Sequence, residues 1–335
     1  MKHLFLFLSL TMLISCSESG EKDVGRSIVE PEIINDALLT KFPGSLLVND
    51  KYIVLGNPFS NDYFMDIYDI HEGTLLGNAG EIGRGPSEFT TARIEFIHQD
   101  SVFVFDLNRE NHAGLISIIS AINNNHKFSP IPNIINQDIS NVCLIEKENY
   151  IYLNPNSKQP FSLVENGIKK ESFGDTPIKK EVSNGYHVFQ GSIAYNPENK
   201  HFIYTNFYFQ YMAIYKKTDN SFELKNETTN IKSDKIVDGK LIIDRTRKGI
   251  SSLVLTKDYI VCHQRDYSSD DMDETTVGRD FSKVPKTVFL YNYDGKLLRI
   301  VNLKYPVIRI AANIDSNDLY AVILNEEFQI VKYSL

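Results

Sequence analysis

The chain has 335 residues, with 43 acidic against 35 basic side chains, a formal net charge of −8, hydrophobic residues at 42 % and charged residues at 23 %. These proportions belong to a globular protein with enough apolar side chains for one large domain or two ordinary ones. The acidic balance offers no basic track for phosphates and excludes a nucleic-acid-binding role.

The N-terminus opens with Met1-Lys2-His3, followed by an apolar stretch from Leu4 to Ile14. That stretch is too short to span a bilayer as a helix and fits the apolar region of a signal peptide. Leu13-Ile14-Ser15-Cys16 resembles the lipobox of bacterial lipoproteins. The resemblance implies cleavage before Cys16 and a diacylglycerol on its thiol. Ser17 to Asp23 is polar and unpatterned, as a flexible tether is. Its acidic character resembles signals that carry some lipoproteins to the cell surface. The expected division is therefore signal peptide over 1–15, lipidated tether over 16–26 and folded domain over 27–335. No other segment approaches 18 consecutive apolar residues, so the acyl chain is the expected membrane attachment.

From about residue 44 onward, short runs rich in Val, Ile, Tyr and Phe alternate with Gly, Asn, Asp and Pro, the signature of strands and turns. Four segments share one plan, an apolar strand, a tight turn and a more polar strand. They are Met65 to Tyr68 before Glu72-Gly73, Phe161 to Val164 before Asn166-Gly167, Met212 to Tyr215 before Asp219-Asn220, and Val288 to Tyr291 before Asp294-Gly295. These turn residues tolerate the positive φ of a two-residue hairpin. A fifth copy turns at Asn123-Asn124-Asn125, and the β-branched run Leu115 to Ile122 before it reads as a strand. The turns recur about every 40 to 50 residues, the length of a four-stranded propeller blade. The longer final interval is explained by two polar insertions, Lys225 to Asp244 and Asp266 to Lys283, expected as loops protruding from one face.

The sixth unit runs from Pro306 through Leu319 to Leu324 and on to Phe328 to Tyr333, and its outer strand would fall beyond residue 335. Ser27 to Ile34, with Ile28, Val29, Ile33 and Ile34, is free to supply that strand. The expected fold is all-β, a six-bladed β-propeller closed by an N-terminal strand in the last blade. With no Trp and 18 Tyr and 20 Phe, packing between blades must rest on tyrosine and phenylalanine.

Gly80-Glu81-Ile82-Gly83-Arg84-Gly85-Pro86-Ser87-Glu88-Phe89 resembles the Gly-Arg-Gly-Pro-x-Glu-Phe segment of the TolB-like six-bladed propeller lipoproteins, and the stretch from Val288 to the C-terminus resembles that family's closing repeat. Membership implies the fold and an envelope location but no particular activity. In this loop the glycines allow tight turning, and Arg84 and Glu88 are placed to pair with each other, with the next blade or with a ligand.

Motifs for catalysis are scarce. The eight histidines show no His-x-His or His-Glu-x-x-His spacing, and Ser87 lacks the setting of a nucleophile elbow. Asp270-Asp271-Met272-Asp273-Glu274 is acidic but lacks the spacing and glycine of a calcium loop, and reads as a solvated insertion. Cys143 and Cys262 lie in strand-like runs, as buried small hydrophobes or as a disulfide pair. No cofactor, metal site or catalytic residue is expected. His201 to Tyr211 holds six aromatics, which form either core between blades or a platform for sugars or peptides. The candidate ligand-binding residues are Arg84, Glu88, Tyr208 and Tyr211, with Cys16 for lipidation. The expected role is a non-enzymatic module at the outer membrane or cell surface, binding an envelope protein, peptide or glycan. The alternative is a calcium-dependent hydrolase or lyase, which needs three or more Asp, Glu, Asn or His side chains converging at one channel mouth.

Overall fold

The β-branched and aromatic runs fold as strands because their side chains pack on a pleated surface from both sides. The computed structural model describes residues 24–131, 139–146, 149–219, 221–229, 235–243, 249–268 and 280–335. Six antiparallel blades follow one another along the chain. Ahead of them come β1 (Gly25–Ile28) and β2 (Glu32–Asn35). Blade 1 holds β3 (Leu46–Val48), β4 (Tyr52–Gly56), β5 (Tyr63–Asp69) and β6 (Leu75–Glu81). Blade 2 holds β7 (Ala92–His98), β8 (Ser101–Asp106), β9 (Ala113–Ser117) and β10 (Phe128–Pro130). Blade 3 holds β11 (Asn141–Glu146), β12 (Asn149–Leu153), β13 (Phe161–Glu165) and β14 (Ile168–Phe173). Blade 4 holds β15 (Gly191–Asn196), β16 (His201–Asn206), β17 (Tyr211–Lys217) and β18 (Phe222–Thr229). A separate hairpin, β19 (Lys235–Val237) and β20 (Lys240–Ile242), precedes blade 5. Blade 5 holds β21 (Ser252–Leu255), β22 (Ile260–His263), β23 (Thr287–Tyr291) and β24 (Leu297–Asn302). Blade 6 holds β25 (Val307–Ala312), β26 (Asp318–Asn325) and β27 (Glu327–Ser334).

The first strand of each blade lies innermost. Each innermost strand contacts the next one around, and β25 contacts β3, so the ring is closed. Second strands are buried along nearly their whole length, as in β16 and β22, because a neighbouring blade covers each face. Outer strands carry the polar residues, as β14 and β18 show. All five turns foreseen from Gly, Asn and Asp join the third and fourth strands of successive blades, with φ of 64° at Gly73, 56° at Asn124, 74° at Gly167 and 82° at Gly295; Asn220 lies outside the described residues. In four of these blades the register slips by one residue just before the turn, at Ile67/Tyr68, Leu163/Val164, Ile214/Tyr215 and Leu290/Tyr291. A repeated bulge of this kind adds the local twist that a blade needs.

The N-terminal segment closes the ring in two steps. β2 pairs antiparallel with β27, completing blade 6 as expected. β1, which the closure argument did not separate from it, adds a fifth strand to blade 5, parallel to β24. Gly25 and Arg26, placed by sequence in the tether, are thus already strand. The segment is further held by Val29 N–H to the Asn302 carbonyl at 3.1 Å, Lys304 to Glu30 at 2.7 Å and Arg26 to Asp266 at 3.0 Å.

Two local readings are corrected. Leu115 to Ile122 is strand only to Ser117, because the Ser117 hydroxyl accepts the Ser120 N–H and caps a short helix, α1 (Ile118–Ile122). The insertion taken to start at Lys225 starts after Thr229, since Lys225 is a bulge within β18 and Asn226 to Thr229 still pair with β17. Both insertions do leave from the same side. Strand pairing puts Tyr211 opposite Thr229 and Ser252 opposite His263, so the connections after Thr229 and after His263 share one end of the barrel. That end, with all links between second and third strands and between blades, is called the loop face. The opposite end, carrying the tight turns, is the hairpin face.

His201 gives the domain a pH signature. Burial, then the nearby Lys216 and Lys225 charges, lowers its pKa from 6.5 to about 4. As pH falls through that window the unfolded chain takes up a proton that the folded chain refuses, so stability is lost on acidification. The drop in thermal midpoint between pH 7 and pH 4 should be smaller in His201→Gln than in the parent; equal drops would remove His201 from the account.

Candidate functional site

The six innermost strands enclose a central channel of about 700 Å³. Among the described residues its wall carries three charged side chains, Arg93, Glu95 and Arg309, amid apolar and small polar ones. Arg93 lies 2.8 Å from Glu95, donates to the Ser140 carbonyl at 3.0 Å and covers the Phe105 ring at 5.5 Å. Burial raises the Glu95 pKa and Arg93 partly offsets it. Arg93 is thus the charged partner that holds the buried Glu95 carboxylate. Tyr195, also on the wall, has a buried hydroxyl without a partner, and burial pushes its pKa up to about 12. Among the described residues no group of three or more His, Cys, Asp or Glu side chains is placed to hold a metal ion.

Arg309 differs from Arg93. It reaches from blade 6 to blade 1, donating from Nε to the Gly44 carbonyl at 2.8 Å and from Nη1 to the Ile308 carbonyl at 2.8 Å, with its guanidinium 5.1 Å from the centre of the Phe42 ring. Burial lowers its pKa. A smaller cavity of about 200 Å³ opens beside it between blades 5 and 6.

The sequence-derived candidates scatter. Cys16 and Asp270 to Glu274 lie outside the described residues. Arg84 is exposed on the connection between blades 1 and 2, on the loop face. Glu88 is turned back onto its own loop, accepting the Gly85 N–H at 2.7 Å. A Cβ on Gly83 would stand 2.0 Å from that carboxylate, so a side chain there would displace Glu88 from its place in the loop. Arg109 and His112 of the next blade bind the Glu88 carbonyl at 2.8 and 2.9 Å, and Phe89 is fully buried against Phe64 and Phe128. The Gly-Arg-Gly-Pro segment is thus a staple between blades 1 and 2. Tyr208 is half-buried on the loop face, its ring 4.8 Å from that of His187. Tyr211 is only 2 % exposed and packs edge-on to Tyr204, so it belongs to the core rather than to an open platform. The rest of the aromatic tract follows it inward, with Phe202 and Tyr204 buried. Cys143 and Cys262 are buried free thiols in different clusters, and burial raises both pKa values. Arg93, Glu95 and Arg309 were missed, although charges inside Ala92 to Phe96 and Pro306 to Ala311, otherwise apolar strands, were a readable signal.

The loop face is built rather than loose. Asn184 exchanges two hydrogen bonds of 3.0 Å with Leu241, fastening the β19–β20 hairpin over the short helix α2 (Gly185–Val188). Ile178, Val188, Phe189 and Leu241 form a small core beneath it.

A six-bladed ring is the arrangement of the TolB-like 6-blade propeller-like family, whose pattern matches residues 23–313. The chain belongs to that family. Among curated proteins no match is found. Solved structures share the fold at low identity. The calcium-binding protein regucalcin from Agrobacterium tumefaciens is 9 % identical with a TM-score of 0.55, the alignment covering 93 % of this chain and 95 % of that one. A member of the DUF4221 family from Bacteroides vulgatus is 14 % identical with a TM-score of 0.54, covering 92 % and 96 %. No helix among the described residues is long and apolar enough to cross a membrane.

Proposed function

We propose that this propeller is a lipid-anchored, non-enzymatic binding module of the bacterial envelope, presenting its loop face to a protein, peptide or glycan. The observation that carries this reading is the distribution of structure between the two faces. The long connections gather on one face, where Asn184 fastens the β19–β20 hairpin, whereas the hairpin face carries short turns apart from the link that holds α1. The alternative, a calcium-dependent hydrolase or lyase, has little to work with among the described residues, where Glu95 is the one carboxylate on the channel wall and is tied to Arg93. Gly25 lies opposite Arg299 in the parallel pair with β24, close to where β24 leaves its hairpin turn, so β1 starts beside the hairpin side of blade 5. A lipid on Cys16 would therefore leave from that side and turn the loop face outward.

Arrays of glycans, peptides and envelope proteins probed with the chain from Ser17 onward test the reading. Replacing residues 235–242 by a short Gly-Ser linker should weaken binding while leaving the thermal midpoint within a few degrees; binding indifferent to any change on the loop face would defeat it. For the anchor, Cys16→Ala should abolish labelling by radioactive palmitate and move the protein from the membrane to the soluble fraction. Membrane retention of that variant would refute lipid attachment.

A further inference from the structure

Arg309 is a guanidinium set into the wall of a channel whose partners among the described residues are all neutral, the carbonyls of Gly44 and Ile308 and the face of Phe42. Among the described residues no carboxylate stands within ion-pair distance of it, and Nη2 donates to none of them. A partly desolvated cation without a counterion is costly unless something anionic completes it, and a guanidinium is suited to a carboxylate through its fork of parallel N–H groups. The ~200 Å³ cavity beside Arg309 supplies room for such a partner. Its floor is apolar, made by Val284, Pro285, Val307 and Ile308. Its roof is aromatic, with Phe42 stacked on Phe281 at 5.2 Å and 28°. Phe59 continues the aromatic surface from Phe42 at 6.4 Å and is 56 % exposed, so the roof reaches solvent on the loop face. Ser251, Ser252 and Arg309 line both this cavity and the channel, so the two spaces meet at the guanidinium.

We infer that the cleft between blades 5 and 6 binds a carboxylate carried on an apolar group, with Arg309 as the anchor and Phe42 and Phe281 as the roof. The size agrees: an apolar cavity of about 150 Å³ accepts a benzene ring, so ~200 Å³ takes a ring with a short acid arm. This chemistry occurs both in free aromatic acids and at the C-terminus of a peptide ending in an apolar residue. The inference deepens the binding-module reading and rests on it, yet the site lies away from the 235–242 hairpin, so the two can fail separately.

Calorimetric titration of the chain from Ser17 onward with phenylacetate should give saturable 1:1 binding. Phenylacetamide, which keeps the ring and loses the charge, should bind about 10- to 100-fold more weakly, the loss expected for a charged hydrogen bond. Arg309→Gln should lower phenylacetate affinity by a similar factor. Because that variant also removes a link between blades 6 and 1, Phe281→Ala serves as the second variant; it leaves the blades intact and should weaken binding severalfold. N-acetylphenylalanine binding more tightly than phenylacetate would identify a peptide terminus as the source, and the reverse order a free acid; either supports the site. Absence of saturable binding by both acids, equal affinity for acid and amide, or indifference to both substitutions would overturn it. If the acids bind normally to the variant lacking the 235–242 hairpin while array binding is lost, both readings stand; if the acids fail and array binding persists, only this site falls.

Discussion

Removing residues 24–35 is expected to unfold the domain or lower its thermal midpoint by on the order of 10 °C or more, whereas removing Ser17 to Asp23 should change nothing measurable. The first deletion strips β2 from β27 and β1 from β24, leaving two blades with naked outer edges. It also takes Val24, Val29 and Ile34 from three separate apolar clusters and removes the Lys304–Glu30 and Arg26–Asp266 pairs. The exposed Lys304–Glu30 pair contributes little, about 0–1 kcal/mol, whereas loss of Arg26 takes a cation from the buried Asp266 carboxylate. Ladder hydrogen bonds and buried aliphatic surface carry the effect. Circular dichroism melts of the two truncations decide it, and coincident melting curves would mean that the ring holds without its clasp.

Phe161→Ala should cost about 3–5 kcal/mol of unfolding free energy, among the largest losses available to one side chain. Phe161 is fully buried, with Phe202, Tyr204, Phe173 and Tyr215 at centroid distances of 5.0, 5.2, 5.4 and 5.6 Å. Three of these contacts are edge-to-face, the geometry in which ring quadrupoles attract. A Cβ on Gly174 would come within 2.4 Å of the Phe161 ring, so the backbone has already closed around it and cannot readily fill the hole. The measurement is the urea midpoint at unchanged slope. A loss below about 1 kcal/mol would show that the cluster relaxes freely, contrary to close packing.

The repeat was legible because each turn between third and fourth strands needs a residue tolerant of positive φ, and Gly73, Asn124, Gly167 and Gly295 occupy those places. Closure was legible because blade 6 ends one strand short while an unassigned aliphatic segment waits near the start. The parallel pairing of β1 was not legible, since four residues of mixed character, exposed or half-exposed, carry no period that separates them from a tether. The α1 helix was hidden because Ile118 and Ile119 favour strand, and only the Ser117 cap and the pull of burial on Ile118 and Ala121 reverse that preference. The candidate site fared worse. Aromatic density along His201 to Tyr211 could not distinguish an inward Tyr211 from the accessible Tyr208, because the strand begins between them. Arg84 and Glu88 stood out as charges in a distinctive motif, yet Glu88 serves the backbone of its own turn. The guanidinium that borders the cleft was passed over for lacking a motif, although a lone charge within an apolar innermost strand is the rarer event.

The clasp also sets the order of events during synthesis. Glu30 and its lysine are 274 positions apart in the chain, and Arg26 and its aspartate 240. The earliest translated part of the domain therefore waits, unsatisfied, until the last blade has emerged from the ribosome. Assembly of a ring with such distant partners is intrinsically slow, and during that wait the leading strands are the segment most in need of a holding chaperone and most exposed to proteolysis.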